Sequence, residues 1–265
     1  MTTKNRRTIS STPEGETYRF PDIPEPPERN PEDMTSFRHL AKTGILASLT
    51  AHFGNRDGLL VEGERFMAAL PHRPASERRF PDLLIAFNAN PELYDSNNGY
   101  LVSGQGKPPD FVLEIASPST RRNDNGEKRS FYANLGVLEY WRFDEEDTTN
   151  SVKLLGERLV NGEYIALEIT QLEEGLLESY SPVLGLSLRW ERGELRWYDH
   201  EAGQYIFTLA EELERRRVAE VRAEQEREQR RAAEGRAEQE RQQREAAEAR
   251  LQELESQIRQ LRGEG

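Results

Sequence analysis

The aromatic residues of this 265-residue chain are confined to its first four fifths, and this asymmetry limits where a mixed hydrophobic core can form. All 22 Phe, Trp and Tyr residues lie at or before Phe207, and the last 56 residues, from Ala210, contain none. That last segment carries 15 Glu and 13 Arg, together with Gln, Ala and a few aliphatic residues. We therefore expect one packed domain followed by a charged, extended segment.

Composition divides the chain further into three segments. Residues 1–33 contain six of the 14 prolines, mixed with Ser, Thr and Glu, a composition typical of a disordered arm. Residues 34–209 are predicted to form the folded domain. Residues 210–265 are predicted to form one long helix, in which Glu and Arg recur four residues apart as favourable ion pairs.

The long helix shows a heptad seam only near its end. The seam consists of Ala247, Leu251, Leu254, Ile258 and Leu261. A short coiled coil that joins two copies as a homodimer and a solvated single helix are both compatible with this pattern.

The composition also excludes several classes of protein. Without a single cysteine, the chain cannot use disulfide frameworks, zinc ribbons, iron–sulfur centres or thiol catalysis. The net charge of −12 argues against a protein that coats nucleic acid or membranes through bulk charge, and −10 of it belongs to residues 1–209. There is no run of 18 apolar residues and no apolar signal core at the start, so we expect no membrane span, no secretion and a cytoplasmic location.

Hydrophobic periodicity predicts a mixed α/β (α+β) domain. Helices are predicted between Thr35 and Asn55, and from about Asn125 to a stop at Gly136. Residues 88–109, rich in Asn, Gly and Pro, are predicted to be a long loop. The predicted strands are 59–61, 65–68, 80–87, 110–116, 139–143, 152–155, 164–169, 184–188, 195–198 and 204–207.

Two acidic residues interrupt predicted strands that are otherwise apolar. Asp82 lies in the run Phe80–Phe87, and Glu114 lies in the run Asp110–Ala116. An acid on a buried strand is costly unless something compensates its charge, and a divalent cation held by both acids would do so. Oxygen ligands without His or Cys nearby favour Mg²⁺ or Mn²⁺. The structural alternatives are a turn residue bonded to backbone amides for Asp82, and an ion pair with Lys128 for Glu114.

Lys128 is the third unusual residue. On the predicted helix it shares the core-facing stripe with Phe131, Tyr132 and Leu135. A lysine that faces inward near the start of the helix can reach back over the end of the strand that carries Glu114. Its alternative is a side chain that extends outward to water.

The run PPDFVLEIASPSTRRNDNGEKRSFYANLGVLEYWRFD (108–144), with RFPDLLIAF (79–87) before it, closely resembles the Uma-two family of restriction endonucleases. That family is a branch of the PD-(D/E)XK phosphodiesterase superfamily. The resemblance extends more weakly through SYSPVLGLSLRW (179–190). It implies a restriction-endonuclease-like core, with a central mixed sheet flanked by helices.

The resemblance also implies roles for individual residues. Asp82 matches the first acid of the family and Glu114 the second, and these two side chains with the backbone carbonyl of Ile115 are expected to hold one Mg²⁺ or two. The superfamily has a lysine two residues after the second acid, where this chain has Ala116. Lys128 matches the position to which the family moves that lysine. Asp124 is expected to cap the helix, and Tyr132 to pack or to donate a supporting hydrogen bond.

The function implied is a Mg²⁺-dependent endonuclease that hydrolyses DNA phosphodiester bonds. One alternative is a nuclease fold with lapsed activity that acts as an assembly protein through its coiled-coil tail. Another is a phosphodiesterase for RNA or a small nucleotide. The basic pair Arg121–Arg122 could contact phosphate but is interpreted as part of a solvated loop, and the same two interpretations apply to Arg78–Arg79 before the first acid. The four histidines show no metal-ligand spacing.

Overall fold

The computed structural model of the chain describes residues 18–22, 40, 44–54, 56–116, 124–144, 152–261 and 263. The chain divides into two compact units, Met1–Ala210 and Glu211–Gly265. Of the predicted disordered arm, only residues 18–22 are described. The predicted domain boundaries at residues 33 and 209 stay predictions.

Five α-helices lie within the described residues. They are α1 (Ile45–His52), α2 (Pro91–Asn97), α3 (Val102–Gln105), α4 (Asp124–Leu135) and α5 (Leu209–Leu261). The predicted second helix is confirmed as α4, which ends before Gly136, a glycine in the left-handed region at φ 87°. Within the part of the chain that the structure describes, no helix is both long and apolar enough to cross a membrane.

Among the described residues, thirteen strands form three sheets. They are β1 (Leu60–Glu62), β2 (Phe66–Ala68), β3 (Leu83–Ala86), β4 (Gly99–Leu101), β5 (Phe111–Ala116), β6 (Glu139–Asp144), β7 (Leu154–Val160), β8 (Glu163–Ala166), β9 (Thr170–Glu173), β10 (Leu176–Ser181), β11 (Leu186–Glu191), β12 (Glu194–Asp199) and β13 (Gln204–Tyr205).

The central sheet is mixed and has the strand order β1-β3-β5-β6-β7-β8. Its neighbours are antiparallel except β5 and β6, which are parallel. Parallel neighbours need a crossover connection, and α4 provides it. The prediction of an α/β fold with a central mixed sheet and flanking helices is confirmed.

Different layers cover the two faces of the central sheet. On one face it packs against an antiparallel sheet with the order β13-β12-β11-β10-β9, and the core between them buries Phe111, Trp141, Trp190 and Trp197. On the other face, side chains of α2 and α4 pack on β3, β5 and β6 in a second core of buried tyrosines and aliphatic residues. The layer formed by α4 is the one that covers Glu114.

The prediction that residues 88–109 form a loop is wrong. This segment contains α2, β4 and α3, and β4 pairs in parallel with β2. The Asn90 side chain accepts a hydrogen bond from the Leu93 amide at 3.1 Å, and Pro91 occupies the first helical position. Asn and Pro therefore begin a helix here, where composition alone suggested a loop.

A third acid, Glu139 on β6, is completely buried on the face between the two large sheets. Its carboxylate accepts hydrogen bonds from Trp141 Nε1 at 3.0 Å, Ser181 Oγ at 2.5 Å and the Val183 amide at 3.0 Å. Three donors compensate the burial of this charge. Glu139 therefore joins the two sheets through hydrogen bonds to residues of both.

Candidate active site

Asp82 lies immediately before β3, so the prediction that places it inside a strand is wrong by one residue. Pro81, which precedes it, has no N–H to donate to a ladder, and β3 begins only at Leu83. The Asp82 Oδ2 atom accepts a hydrogen bond from the Ile115 amide nitrogen, which lies 2.7 Å away. The side chain thus binds an amide of β5 just beyond the last paired residue of β3.

Glu114 lies within β5 and directly opposite Asp82. The last pair of the β3–β5 ladder is Leu83 with Leu113, and Asp82 and Glu114 are the next residues beyond that pair. Glu114 is only 6% exposed and shares its face of the sheet with Val112, toward α4. Both acids therefore lie at the same end of the β3–β5 pair.

Two side chains of α4 hold the Glu114 carboxylate. Lys128 Nζ donates to Oε2 at 3.0 Å, and the Tyr132 hydroxyl donates to Oε1 at 2.6 Å. The two donors are four residues apart and so lie on one face of the helix. The structure places Lys128 inward, as its helical spacing predicts, and gives Tyr132 the expected supporting hydrogen bond. The Asp124 side chain lies outside the described residues.

The backbone amide of Ile115 points toward the Asp82 carboxylate. In an antiparallel ladder the N–H and C=O groups of one residue point toward the same neighbouring strand. Because the Ile115 amide points to Asp82, the Ile115 carbonyl is oriented to the β3 side as well. This orientation is the one that the predicted metal-binding role of Ile115 requires.

Burial raises the pKa of both acids. Desolvation raises the pKa of Glu114 to about 7, against the lowering effect of Lys128. Desolvation also raises the pKa of Asp82 to about 6, against the amide of Ile115 and a side-chain hydrogen bond with Glu114. Burial therefore opposes the charged form of both acids, and a cation beside them would favour it.

These donors fit a hard divalent cation. The negative charges of the two buried carboxylates are not fully compensated. Together with the Ile115 carbonyl, these side chains offer only oxygen donors, which Mg²⁺ and Mn²⁺ prefer. Among the described residues, no group of three or more His, Cys, Asp or Glu side chains could hold a metal. A Mg²⁺ ion needs only one or two protein carboxylates, since it keeps several waters. The metal-binding role of Asp82, Glu114 and the Ile115 carbonyl stays a prediction.

Glu64 is an acid near the site that the sequence pattern did not indicate. Its amide donates to the Pro81 carbonyl at 3.0 Å, its φ is 56°, and its charge raises the pKa of Asp82. Desolvation raises the pKa of Glu64 itself to about 7. Gly63 permits the close approach of this turn, because a Cβ there would lie 2.2 Å from the Asp82 carbonyl oxygen.

The described histidines contact residues outside this cluster. His200 contacts Ser187 Oγ at 2.8 Å on the antiparallel sheet, and His52 lies 4.0 Å from Asp199. His39 and the pair Arg121–Arg122 lie outside the described residues.

Comparison with known proteins identifies the family. The model of the Uma2 family, described as "Putative restriction endonuclease", matches residues 33–191, more than half of the chain. The chain belongs to this family. The predicted resemblance is therefore confirmed, and all the residues of the candidate site lie within the Uma2 match.

This Uma2 protein has a similar solved structure but no match among curated proteins. Among solved structures, the chain is similar to one described as "Crystal structure of a putative nuclease belonging to DUF820 from Anabaena variabilis ATCC 29413". The two share 13% sequence identity, and the TM-score is 0.35. That match covers 52% of this chain and 73% of the other. No curated protein matches the chain.

The raised pKa values predict how pH and metal affect stability. A carboxyl group whose pKa is higher in the folded state stabilises the fold at low pH, and that stability is lost as pH rises through the folded-state value. Without metal, the melting temperature should therefore fall as pH rises from 5 to 8, and Mg²⁺ should restore it most at pH 8.

Differential scanning fluorimetry at both pH values, with EDTA or with Mg²⁺, measures this effect. The double variant Asp82→Asn/Glu114→Gln should lose the response to Mg²⁺ and show a smaller fall with pH, because Glu64 keeps its raised pKa. Glu163→Gln, an exposed change on β8, is the matched control and should behave as the wild type. Equal pH and Mg²⁺ responses in the wild type and the double variant would contradict the assignment.

Proposed function

We propose that the chain is a Mg²⁺-dependent endonuclease that hydrolyses phosphodiester bonds in DNA, with Mn²⁺ as an alternative cation. The observation that supports this proposal is the convergence of Asp82, Glu114 and Lys128, from a loop, a strand and a helix, within one hydrogen-bonded cluster. Membership of the Uma2 family supports the same reaction class. The cysteine-free sequence suits a reducing compartment, and we place the activity in the cytoplasm.

In this proposal each residue has a distinct role. Asp82, Glu114 and the Ile115 carbonyl hold the cation. The bound cation supplies a water of lowered pKa and neutralises charge on the phosphate. The Lys128 ammonium orients the attacking water or stabilises the charge that develops on the phosphate oxygens. Tyr132 fixes the orientation of Glu114 through its 2.6 Å hydrogen bond.

The arrangement of the acids favours this function over an inactive assembly protein. A buried carboxylate whose negative charge is not balanced by a nearby positive charge lowers the stability of the fold. Glu114 has two side-chain donors and Asp82 accepts one amide, yet the pKa of both stays raised by desolvation. A protein that only assembles would gain stability from apolar residues at these positions. Cleavage of RNA or a small nucleotide, without cleavage of DNA, would indicate the alternative substrates.

Two variants separate metal binding from catalysis. Glu114→Gln should abolish both Mg²⁺ binding and cleavage, since it removes a ligand charge. Lys128→Ala should retain Mg²⁺ binding and lose at least ~100-fold in cleavage, the usual effect of removing one such electrostatic group. Calorimetric Mg²⁺ and Mn²⁺ titration, followed by nicking of supercoiled DNA, measures both.

Glu163→Gln and Arg158→Gln are controls, because each removes one charge at an exposed position elsewhere on the domain. Unchanged nicking by Glu114→Gln or Lys128→Ala would contradict the proposal. Metal binding without cleavage of DNA, RNA or nucleotides would favour the assembly function.

We also propose that the end of α5 pairs with a second copy of this chain. Leu251, Leu254 and Ile258 are 60%, 48% and 48% exposed, and they follow the spacing of a coiled-coil seam. Ile258 at an a position and Leu254 at a d position favour parallel dimers. In that arrangement Arg250 of one helix faces Glu255 of the other, five residues further along, as g and e residues do.

The middle of α5 has the opposite character. Residues 222–235 and 236–249 are tandem repeats that are identical at 11 of 14 positions. If the heptad spacing is continued toward the N-terminus, the seam positions include Arg244, Glu240 and Arg230. In a parallel pair, each of these residues would face the same residue of the second helix. Like charges oppose pairing there. We therefore expect a short zipper at the end of a helix that is otherwise solvated.

Sedimentation of the full chain tests the zipper. The wild type should sediment as a dimer, and Leu254→Glu/Ile258→Glu as a monomer, because the variant places charges in the seam. Val221→Glu is the control, since Val221 is exposed but lies off the seam. Introduced cysteines are unique in this chain, so Leu254→Cys should also form a disulfide-linked dimer on oxidation. If the double variant and the wild type sediment alike, the zipper is wrong.

A further inference from the structure

We propose that Arg78 and Arg79 form the site that binds the phosphate backbone of the substrate strand beside the catalytic acids. This inference rests on the proposed function, because it assigns the ligand as a polyanionic phosphodiester chain. It replaces the interpretation of this pair as part of a solvated loop.

The fold brings Arg79 to the edge of the candidate site. Its backbone exchanges two hydrogen bonds with Met67, at 2.8 and 3.0 Å, which fixes the chain three residues before Asp82. Its guanidinium lies 4.7 Å from the centre of the Phe131 ring on α4. Phe131 is three residues from Lys128 and therefore neighbours it on the helix surface. Arg79 thus contacts the helix that carries Lys128, at a position one turn away from it.

Both arginines are oriented by backbone carbonyls. Arg79 Nη1 donates to the carbonyls of Ser76 at 2.8 Å and Arg78 at 2.9 Å. Arg78 Nε donates to the carbonyl of Arg73 at 2.7 Å. A guanidinium has five N–H donors, so each arginine keeps donors for a ligand while its position is fixed. Little side-chain entropy is then lost when a phosphate binds.

Neither arginine forms an ion pair with any residue that the structure describes. Other arginines of the domain are neutralised: Arg73 lies 3.2 Å from Glu77, and Arg129 lies 2.8 Å from Glu157. The positive charges of Arg78 and Arg79 are therefore not neutralised by a described acid and can interact with an anionic ligand. The Phe131 contact holds the guanidinium of Arg79 without neutralising it.

The acidity of the domain makes this local charge important. Residues 1–209 carry a net charge of −10, which repels a nucleic acid at long range. Affinity for DNA comes mainly from phosphate contacts by Arg and Lys, so the contacts must be local. A fixed pair of unneutralised arginines, close to the acids that would act on the scissile phosphate, supplies them.

Fluorescence anisotropy with a labelled 20-base-pair DNA duplex tests the proposal on the full chain, with Ca²⁺ in place of Mg²⁺ to prevent cleavage. The double variant Arg78→Gln/Arg79→Gln should bind at least ~10-fold more weakly, equally for two unrelated sequences. The slope of log affinity against log salt should decrease by about 2, since two phosphate contacts are lost. Arg158→Gln, which removes an exposed arginine on β7, should change affinity and slope less.

Equal affinity and salt slope in the double variant and in the Arg158→Gln control would overturn the proposal. Arg78→Lys/Arg79→Lys keeps both charges and should retain most of the salt slope, which separates a charge effect from misfolding. The failure of the proposed function is distinguishable, because it would appear as absent cleavage by the wild type in Mg²⁺, whatever the arginine variants bind.

Discussion

The hydrogen bond from the Ile115 amide to the Asp82 carboxylate determines the geometry on which the site depends. At this point the backbone pairing of β3 and β5 stops, because Pro81 cannot donate and β3 begins only at Leu83. The Asp82 side chain takes the place of a backbone acceptor, at 2.7 Å. This contact holds one acid in the gap between the strand ends, directly opposite the other acid.

The register of β5 is equally important. A shift of one residue would turn Glu114 away from Lys128 and Tyr132 and into the core beside Trp141 and Phe143. The apolar residues of β5 prevent this shift, since Phe111, Leu113 and Ile115 pack in that core. The same hydrophobic pattern that stabilises the fold therefore directs the acid toward α4.

Glu114 and Glu139 show why burial alone does not identify a catalytic acid. Both are buried carboxylates on neighbouring strands, but they lie on opposite faces of the sheet. Glu139 accepts from an indole, a hydroxyl and an amide, and its role is to connect two sheets. Glu114 lies beside a second acid and an ammonium. The difference is the chemistry of the neighbours, which strand pairing and the α4 crossover bring together.

Local features of this chain could be predicted from the sequence, and long-range pairings could not. The alternation around Glu114 predicted β5, and the spacing of Lys128, Phe131 and Tyr132 predicted which face of α4 points inward. Strands β9 and β10 were not predicted, because no strongly periodic pattern marks them. The role of Glu139 was not predicted either, because its partner Ser181 lies 42 residues away. The position of Arg79 depends on contacts with Met67 and Phe131 that only the fold creates.

The most direct test of the central claim is the position of a bound metal. A crystal of the protein grown or soaked with Mn²⁺ should show an anomalous difference peak between the carboxylates of Asp82 and Glu114, on the side of the Ile115 carbonyl. Asp82→Asn/Glu114→Gln crystals under the same conditions should show none. A wild-type crystal in which this gap holds no peak, or in which Mn²⁺ binds only elsewhere, would contradict the account.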